Sequence, residues 1–594
     1  NDIIRVSENE IWVATENQGI LFYNTITHKF DYSYLTGTSK YTVPQNFISG
    51  FYKDKGGNIW IAQQSGLSLF QTENIIFSSV AFTNRDFFSG SFLSDGNNLL
   101  CIKSNSIASI NTNSGDVAVR ELAMPLPRNI VPNCAIIYTP EEYMVFWGKK
   151  IFTLNRKTLL SKQLPLVQDK VDSIFLKHFR VMQCIPDTLD GKKEYLLLVK
   201  TIKGNVLLNY NPDDGELTEY TPEDFERGSP DYDYTKVIKA GNGKYWISTL
   251  HNGLIYAEKK GITAKYAATE NKKTRKIPPG EINDFVITND NNIWLLINKK
   301  GLVCASLHNG EITGYETFSD KDGLTENRLY NIIADKNNNL WITTGSALFL
   351  FRVQQKDFLR YSVANGLSNI KFHITDVAMT CTGNGYIGLS DKFSNITWFD
   401  PSKNITSSKP ILVLNNISVN NQLINITQAT GGLQLLPDEN NITFWHDIID
   451  FDKTVFYKTI YKLENFANGW NTANQNNRQN YIQLPPGNYV YRIKLQYADG
   501  SFSPEQRVEF SIATIWYKTW WFKSIAALLG LGMIYLVIQN YINKKLHLQK
   551  KDLELQNAVA LERARISTEL HDDLGSGLST IRILSQSLDR KSVV

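Results

Sequence analysis

One pattern recurs along the first two thirds of the chain and limits its fold more than any other feature. An apolar strand is followed by a turn rich in Asp, Asn, Lys and Gly, and then by a second strand containing Trp-Ile or an apolar equivalent. Residues 48–71, 282–306 and 329–352 are the clearest copies, and each predicts three strands joined by tight turns. Short strands in a long repeat predict four-stranded β-propeller blades and exclude a solenoid of helices.

Nine copies of this blade pattern are recognisable, at intervals of 41 to 51 residues. Their central positions are Trp12, Trp60, Cys101, Phe146, Leu197, Trp246, Trp294, Trp341 and Tyr386. A closed propeller usually has about four to eight blades, so nine copies indicate two rings. We expect residues 1–85 to be the last blades of a truncated first propeller, and residues 86–408 to be a complete seven-bladed one.

The blade pattern stops after Pro410, and short alternating strands continue for about a hundred residues. Aromatic residues are frequent there, and a Pro-Pro-Gly turn lies within residues 481–500. Short strands over this length predict a β-sandwich across residues 409–514. The whole chain is therefore expected to be mostly β, in agreement with its 12% aromatic residues and 37 glycines.

The charges and cysteines exclude several other classes of protein. The 62 basic and 58 acidic residues leave a net charge of +4, which is too balanced for a nucleic-acid surface, so no direct nucleic-acid partner is expected. The five cysteines lie far apart without Cys-x-x-Cys spacing, which favours buried strand residues over disulfides or zinc ligands. Residues 319–323 resemble part of a calcium loop but lack its closing Glu, so we expect an ordinary turn and no metal site.

A run from Ser524 to Ile542 contains no charged residue and predicts a transmembrane helix over residues 520–542. An aromatic belt precedes this run, at Trp516, Tyr517, Trp520 and Trp521. Four lysines follow it at 544, 545, 550 and 551, against two before it at 518 and 523. The positive-inside rule then predicts a cytoplasmic carboxyl end and propellers outside. A buried core helix is the alternative interpretation.

Residues 543–588 predict a coiled-coil or four-helix-bundle helix that carries a candidate functional histidine. Apolar residues recur there three, four or seven positions apart, at Leu555, Val559, Ile566, Leu570, Leu574, Leu578, Ile581 and Leu588. His571 lies about 100° round the helix from Leu570, and its neighbours four positions away are Ser567 and Gly575. A single histidine on a helix is usually structural, but this face is cleared of bulk, which favours the approach of another domain.

Three groups of motifs resemble parts of bacterial membrane sensor histidine kinases. The turn-Trp-Ile blades, with linkers at 322–327 and 366–369, resemble the propeller repeats of two-component regulators. Tyr461, Trp470, Tyr481, Leu484, Pro486, Gly487 and Tyr489, with the Asp499-Gly500 turn, resemble the three-Y domain that follows such propellers. Residues 562–572, with the sequence ERARISTELHD, resemble the subgroup-three dimerisation and phosphoacceptor box.

The resemblance implies two-component signal transduction by a sensor histidine kinase of the inner membrane. His571 would be the phosphoacceptor and Asp572 the proton acceptor, while ATP with Mg would bind to a catalytic domain outside this sequence. Implied partners are a second copy through the cytoplasmic helices, a DNA-binding response regulator and an extracytoplasmic ligand such as an oligosaccharide. Relatives with phosphatase activity carry Gln where this chain has Ser576, so that activity is in doubt.

Two other functions remain open at this stage. A membrane-anchored propeller adhesin or scaffold would use the cytoplasmic helix only as a coiled coil, and His571 would be dispensable. An ectodomain hydrolase or lyase would need clustered acid and base residues on the propeller axis.

Both ends of the sequence suggest a fragment. The chain opens in strand-like sequence without a secretory signal, so we expect the true start to be missing. Residues 589–594 match what a sequencing adapter encodes, so we expect them to be an artefact. Without an ATP-binding domain, the polypeptide as written is expected not to phosphorylate itself.

Overall fold

The structure is a computed structural model of the chain. It describes residues 1–589 except 33–44, 55–56, 71–76, 81–90, 104, 124–132, 168–178, 190–191, 202–203, 220–233, 242, 251–252, 259–264, 267–276, 309–310, 327, 363–364, 366, 368–377, 391–395, 404–408, 426–431, 452–453, 468, 474–476 and 499.

Two sheets and one further strand come first in the chain. The first sheet contains β1 (Asp2–Ser7), β2 (Glu10–Ala14), β3 (Ile20–Asn24) and β4 (Lys29–Tyr32), in that order. The second contains β5 (Ile48–Lys53), β6 (Ile59–Gln63) and β7 (Gly66–Phe70). The single strand β8 (Phe77–Val80) follows.

Six four-stranded antiparallel sheets come next, each with its strands in chain order. They are β9 (Ser91–Asp95), β10 (Asn98–Ile102), β11 (Ser106–Asn111) and β12 (Val117–Glu121); β13 (Cys134–Thr139), β14 (Glu142–Trp147), β15 (Lys150–Asn155) and β16 (Ser161–Gln163); β17 (Arg180–Leu189), β18 (Lys192–Thr201), β19 (Gly204–Tyr210) and β20 (Leu217–Glu219); β21 (Tyr234–Gly241), β22 (Lys244–Thr249), β23 (Leu254–Glu258) and β24 (Lys265–Tyr266); β25 (Ile282–Ile287), β26 (Asn292–Ile297), β27 (Gly301–His308) and β28 (Glu311–Phe318); and β29 (Leu329–Ala334), β30 (Leu340–Thr344), β31 (Leu348–Arg352) and β32 (Asp357–Tyr361).

A seventh sheet closes these six into a ring. It contains β33 (Ala378–Cys381), β34 (Ile387–Ser390) and β35 (Ile396–Phe399), and its outer strand is β8, in which Ser79 pairs with Thr397. The first strand of each sheet contacts the first strand of the next, and β33 contacts β9. The predicted seven-bladed propeller is confirmed. Its boundary after residue 85 was wrong, because the ring already includes Phe77.

The predicted central positions of the repeats fall where blade geometry requires. Eight of the nine lie in the second strand of their sheets, and Tyr386 immediately precedes β34. Trp341 packs between blades, with ring centroids 4.5 Å from Phe399 and 5.6 Å from Tyr361. Its indole nitrogen donates a hydrogen bond to Asp335 Oδ2 at 3.2 Å, so the turn and the tryptophan fix each other.

Polar latches join neighbouring blades at their inner strands. Asp284, on β25, accepts hydrogen bonds from its neighbour Phe285 N at 2.7 Å and, in the next blade, from Ile332 N at 2.9 Å. Lys236 Nζ, in the preceding blade, lies 2.7 Å from Asp284 Oδ1. Asp2 on β1 likewise accepts a hydrogen bond from Phe51 N on β5 at 2.8 Å, so the same kind of latch joins the first two sheets. One buried carboxylate thus connects three blades.

Two sheets form the predicted sandwich, and its core lies between them. One has the order β37 (Gln422–Asn425), β36 (Ile411–Val419), β39 (Ile442–Ile449) and β42 (Arg478–Tyr481). The other has the order β38 (Leu433–Leu435), β44 (Gln506–Ile512), β43 (Gly487–Tyr497), β40 (Tyr457–Glu464) and β41 (Asn471–Thr472). Phe444 stacks on Tyr491 across the core, with ring centroids 3.9 Å apart.

The sandwich is fastened to the ring at β32 and the loop before β29. Thr454 accepts a hydrogen bond through its carbonyl from Arg360 N at 2.9 Å, and through its hydroxyl from Asn365 Nδ2 at 3.0 Å. Phe456 packs on Gly323, where a Cβ would approach its Cβ to 2.9 Å. Gly323 also has a φ of 110°, so glycine is required there for both conformation and space.

Replacing Asp284 with Ala should destabilise the ring. The change leaves Ile332 N–H without its acceptor and Lys236 without its partner, and loss of one side of a buried pair costs about 3–5 kcal/mol. The midpoint of the ring's unfolding transition, followed by tryptophan fluorescence, should fall. Glu316→Ala is the control, since its exposed pair with Lys356 is worth about 1 kcal/mol or less. Equal shifts in the two variants would contradict the latch.

His446 should make the sandwich less stable in mild acid. It is 2% exposed and its Nδ1 has no hydrogen-bond partner among the described residues, and burial holds its pKa below the ordinary value although Asp447 opposes the shift. The unfolded chain therefore binds the proton more readily. The free energy of unfolding should decrease as the pH falls below about 6.5, by at most about 1.4 kcal/mol per pH unit.

Chemical denaturation between neutral and mildly acidic pH measures this effect. His446→Leu should flatten the pH dependence of the sandwich transition, whereas the same change at exposed His308 should leave it intact. An unchanged slope in His446→Leu would show that another group is responsible.

Candidate functional site

A single helix, α1 (Trp520–Asp589), contains both segments that the sequence predicted to be helical. Its 70 residues include no proline, and at 1.5 Å per residue it is about 105 Å long. A 3₁₀ turn at Trp516–Lys518 precedes it. The predicted span and the predicted histidine helix are therefore continuous, so a displacement at one end can reach the other without crossing a loop.

The amino-terminal part of α1 is long and apolar enough to cross a membrane, judged by length and composition, and none of its most apolar stretch is buried by the rest of the chain. Two of its polar side chains form hydrogen bonds within the helix. Gln539 Nε2 donates to Tyr535 Oη at 2.9 Å, and Ser524 Oγ donates to the Trp520 carbonyl at 2.9 Å. Internal hydrogen bonds of this kind lower the cost of placing polar groups in lipid.

His571 is exposed on the carboxyl-terminal part of α1. It lies beside the apolar stripe, and one shallow trough is lined by Arg563, Ile566, Ser567, Leu570, His571 and Leu574. The opposite side of the helix is polar, because Arg565 pairs with Glu562 at 2.6 Å and with Glu569 at 3.0 Å. The imidazole therefore stands at the boundary between an apolar and a polar surface, where a partner can reach it.

The apolar stripe itself has no cover within the described chain. Leu570, Leu574, Leu578 and Ile581 are each more than half exposed. A helix that shows such a stripe normally buries it against another helix. The stripe thus marks a contact surface next to His571.

The other predicted residues lie close to His571 in sequence but point elsewhere. Asp572 is about 100° further round the helix, and no described hydrogen bond joins it to His571. Ser576 is turned about 140° from His571, and its hydroxyl donates to the Asp573 carbonyl at 2.9 Å. The roles predicted for His571 and Asp572 therefore stay predictions.

Gly575 and Gly577 have no structural reason within the helix to be glycine. A Cβ built at either position meets nothing within 4 Å. Each glycine destabilises a helix by about 1 kcal/mol relative to alanine, so the two near His571 lower the stability of α1. Their use is explained if another surface must come close.

Hydrogen bonds between an aspartate and a tyrosine link neighbouring blades of the ring. Tyr143 donates to Asp95 Oδ2 at 2.6 Å, and burial together with Asp95 raises the pKa of Tyr143 to about 12. Tyr245 donates to Asp187 in the same way two blades on. Burial alone would raise the pKa of Asp187, but hydrogen bonds from Lys239 and Tyr245 hold it below the ordinary value. Their repetition around the ring favours a structural role over an ectodomain active site.

The described residues contain no group of three His, Cys, Asp or Glu side chains placed to hold a metal ion. The Asp320–Asp322 segment is a single 3₁₀ turn in which Ser319 N donates to Asp322 Oδ2 at 2.8 Å. The carboxylate that a calcium loop would use is thus occupied in closing the turn.

Sequence reasoning missed the blade latches and the closing strand β8. The latches have a weak signal, since Asn-Asp precedes an apolar run both at Asp2 and at Asp284. In both places the Asn donates to the backbone of the next blade, from Asn1 to Ile48 O at 2.9 Å and from Asn283 to Leu329 O at 2.7 Å. Strand β8 has no such signal, because its partner β35 is more than 300 residues away.

Comparison with known proteins finds one solved structure that shares the fold and one distant sequence relative. The fold matches the extracellular domain of BT3049 from B. thetaiotaomicron, named as a hybrid two-component system, with a TM-score of 0.64 and 18% identity over 86% of this chain and 67% of that one. "Histidine kinase P4" of Formosa agariphila is 21% identical over an alignment of 278 residues, and the match covers 42% of this chain and 19% of that protein. No protein-family model matches the chain.

Replacing Gly575 with Ala should stabilise α1 by about 1 kcal/mol, because the added Cβ meets nothing and the unfolded chain loses freedom. Thermal loss of helical ellipticity in the carboxyl-terminal region measures this. Ala564→Gly, on the same side of the helix, is the matched control and should lower helicity by a similar amount. A fall in helicity with Gly575→Ala would show that the helix itself requires the glycine.

Proposed function

We propose that this chain is the sensing, membrane-spanning and phosphoacceptor part of a sensor histidine kinase, and that His571 receives a phosphoryl group from ATP. The observation that carries the proposal is an exposed histidine, beside a glycine and an apolar contact stripe, on the helix that continues the membrane span. The similarity to a histidine kinase and the fold shared with an extracellular sensor domain support it.

The chemistry proposed for His571 is phosphoryl transfer without a metal ligand from this chain. One ring nitrogen of neutral His571 attacks the γ-phosphorus of ATP, a P–N bond forms, and ADP leaves with the electrons of the broken P–O bond. The proton on the other ring nitrogen is oriented or accepted by Asp572. Because the two side chains are about 100° apart on the helix, Asp572 has to turn toward the ring when the nucleotide is presented.

The stripe beside His571 is proposed to bind a second copy of this chain. A parallel pair of helices would bury Leu570, Leu574, Leu578 and Ile581, which are all exposed in the single chain. The polar face formed by Glu562, Arg565 and Glu569 would stay in water. Dimerisation would therefore leave His571 at the edge of the bundle, open to a catalytic domain and then to an aspartate on a DNA-binding response regulator.

The proposed orientation places the ring outside the inner membrane and His571 in the cytoplasm. The four lysines just after the apolar run, against two before it, support it. Signal passage needs an element with two arrangements, and the sandwich is suited to this because one end is bonded to the ring at Thr454 and the other continues into α1. The ligand is proposed to bind a face of the ring, with an oligosaccharide as the first candidate.

The phosphoacceptor role is tested by phosphoryl transfer to the full chain in membranes, supplied with a matching ATP-binding domain. Labelled phosphate from ATP should appear on the wild type as an acid-labile adduct and be absent from His571→Gln. Asp572→Asn should slow labelling by about 10²–10⁴-fold, the usual contribution of general acid–base catalysis.

His547→Gln provides the matched control, since His547 is an exposed histidine on the same helix. It should label like the wild type. Equal labelling of His571→Gln, or none in any variant, would contradict the kinase proposal and favour a membrane-anchored adhesin or scaffold.

A further inference from the structure

The end of the sandwich from which the chain enters α1 carries an unusual set of exposed apolar side chains. Strand β44 ends at Ile512, which lies opposite Gly487 at the start of β43 and beside Leu435 at the end of β38. In the other sheet of the sandwich, Tyr481 at the end of β42 pairs with Ile442 at the start of β39. Because β43 begins at Gly487, shortly after Tyr481, both sheets end at this side of the sandwich. The turns at this end therefore surround the exit of the chain.

One apolar residue from each of four turns projects into solvent there. They are Leu423, Leu436, Phe466 and Ile482, with exposed fractions of 70%, 60%, 53% and 73%. We call this set the exit rim. Leu423 follows the β36–β37 turn, Leu436 follows β38, Phe466 follows β40, and Ile482 joins β42 to β43.

The exit rim is held in place rather than hanging loosely from the sheets. Phe466 contacts Tyr481 with ring centroids 6.0 Å apart, and Asn465 Nδ2 donates to Asn488 O at 2.9 Å. Glu439 Oε2 accepts from Leu436 N at 2.8 Å, which closes the turn after β38. Four exposed apolar side chains gathered at one end of a domain form a candidate interaction surface.

The connection to α1 limits how far the exit rim can be from lipid. Ala513 is still bonded to the sheet, since its N–H donates to Leu435 O at 3.0 Å. Only residues 514–519 separate it from Trp520, so the gap is at most about 25 Å even if fully extended. It is shorter in fact, because residues 516–518 form a 3₁₀ turn. Trp516 and Tyr517, both exposed, fill this interval with residues that favour the membrane interface.

We infer that the exit rim rests in the headgroup region of the bilayer that α1 crosses, so the sandwich is seated on the membrane by four apolar contacts and does not swing freely above it. The charges of the rim indicate the kind of surface. Its described turns contain Asp438 and Glu439 but no Lys or Arg, so zwitterionic headgroups without net charge fit better than anionic ones. The inference rests on the proposed membrane span and is independent of phosphoryl transfer.

The test uses the full chain in phosphatidylcholine nanodiscs, with a single cysteine at Ile482 or Phe466 that carries a fluorophore. Burial raises the pKa of all five native thiols, so maleimide at neutral pH labels the introduced, exposed cysteine first. Lipid bearing a nitroxide near its headgroup should quench both positions. Ile411→Cys is the matched control, an exposed isoleucine at the other end of the same sandwich, and should keep its fluorescence.

Each outcome decides the inference. Quenching of the fluorophore at 482 and 466 but not at 411 supports contact between the exit rim and the lipid headgroups. Equal quenching at 482 and 411 overturns it. Crosslinking between two 482 positions without lipid quenching overturns it in favour of a second copy on the rim. Since insertion in the nanodisc and labelling of His571 are scored separately, failure of the seat is distinguishable from failure of the span or of the kinase proposal.

Discussion

The fold depends on the need of each blade to cover two apolar faces at once. A four-stranded blade such as β29–β32 has fully buried side chains on both sides, including Trp341, Phe349 and Phe351. It cannot bury them alone, and each neighbour it acquires exposes a new face. Closing the ring through β8 is what removes the last exposed face. Apolar contacts alone leave the angle between neighbouring blades variable. The blade latches fix that angle, because a carboxylate such as Asp284 must reach the backbone of the next blade.

The sequence predicted local and repeated features well, and missed those that depend on distant partners. Trp-Ile in a strand after a polar turn recurs, so blades, their number and the position of Trp341 followed from the pattern. Strand β8 could not be found in this way, because only its pairing with β35 defines it. The histidine helix was recognisable from its spacing, but its continuity with the span was not, since an apolar run and a charged coiled-coil pattern suggest two segments. For His571 the limit is different: the role proposed for it involves other domains or molecules, so neither its spacing nor the structure of one chain tests that role.

The sandwich has two ends with different attachments. At one end Thr454 and Phe456 are bonded and packed to a blade edge and to Gly323. At the other, β44 continues almost directly into α1, whose uninterrupted hydrogen bonds extend past His571. The sandwich is thus attached at both ends, to the ring at Thr454 and to α1 after β44. Attachment at both ends fits the sensing role proposed above better than a flexible tether would.

The late pairing of β8 has a consequence for how such a molecule is made. The ring begins at Phe77 and is complete only when Phe399 pairs with it. Strand β8 therefore stays unpaired until the other blades have been synthesised. During that interval both end blades present open strand edges and uncovered apolar faces, which are prone to stick to other chains. A cell that makes this protein must therefore keep a nearly finished ring from aggregating until its last blade has been synthesised.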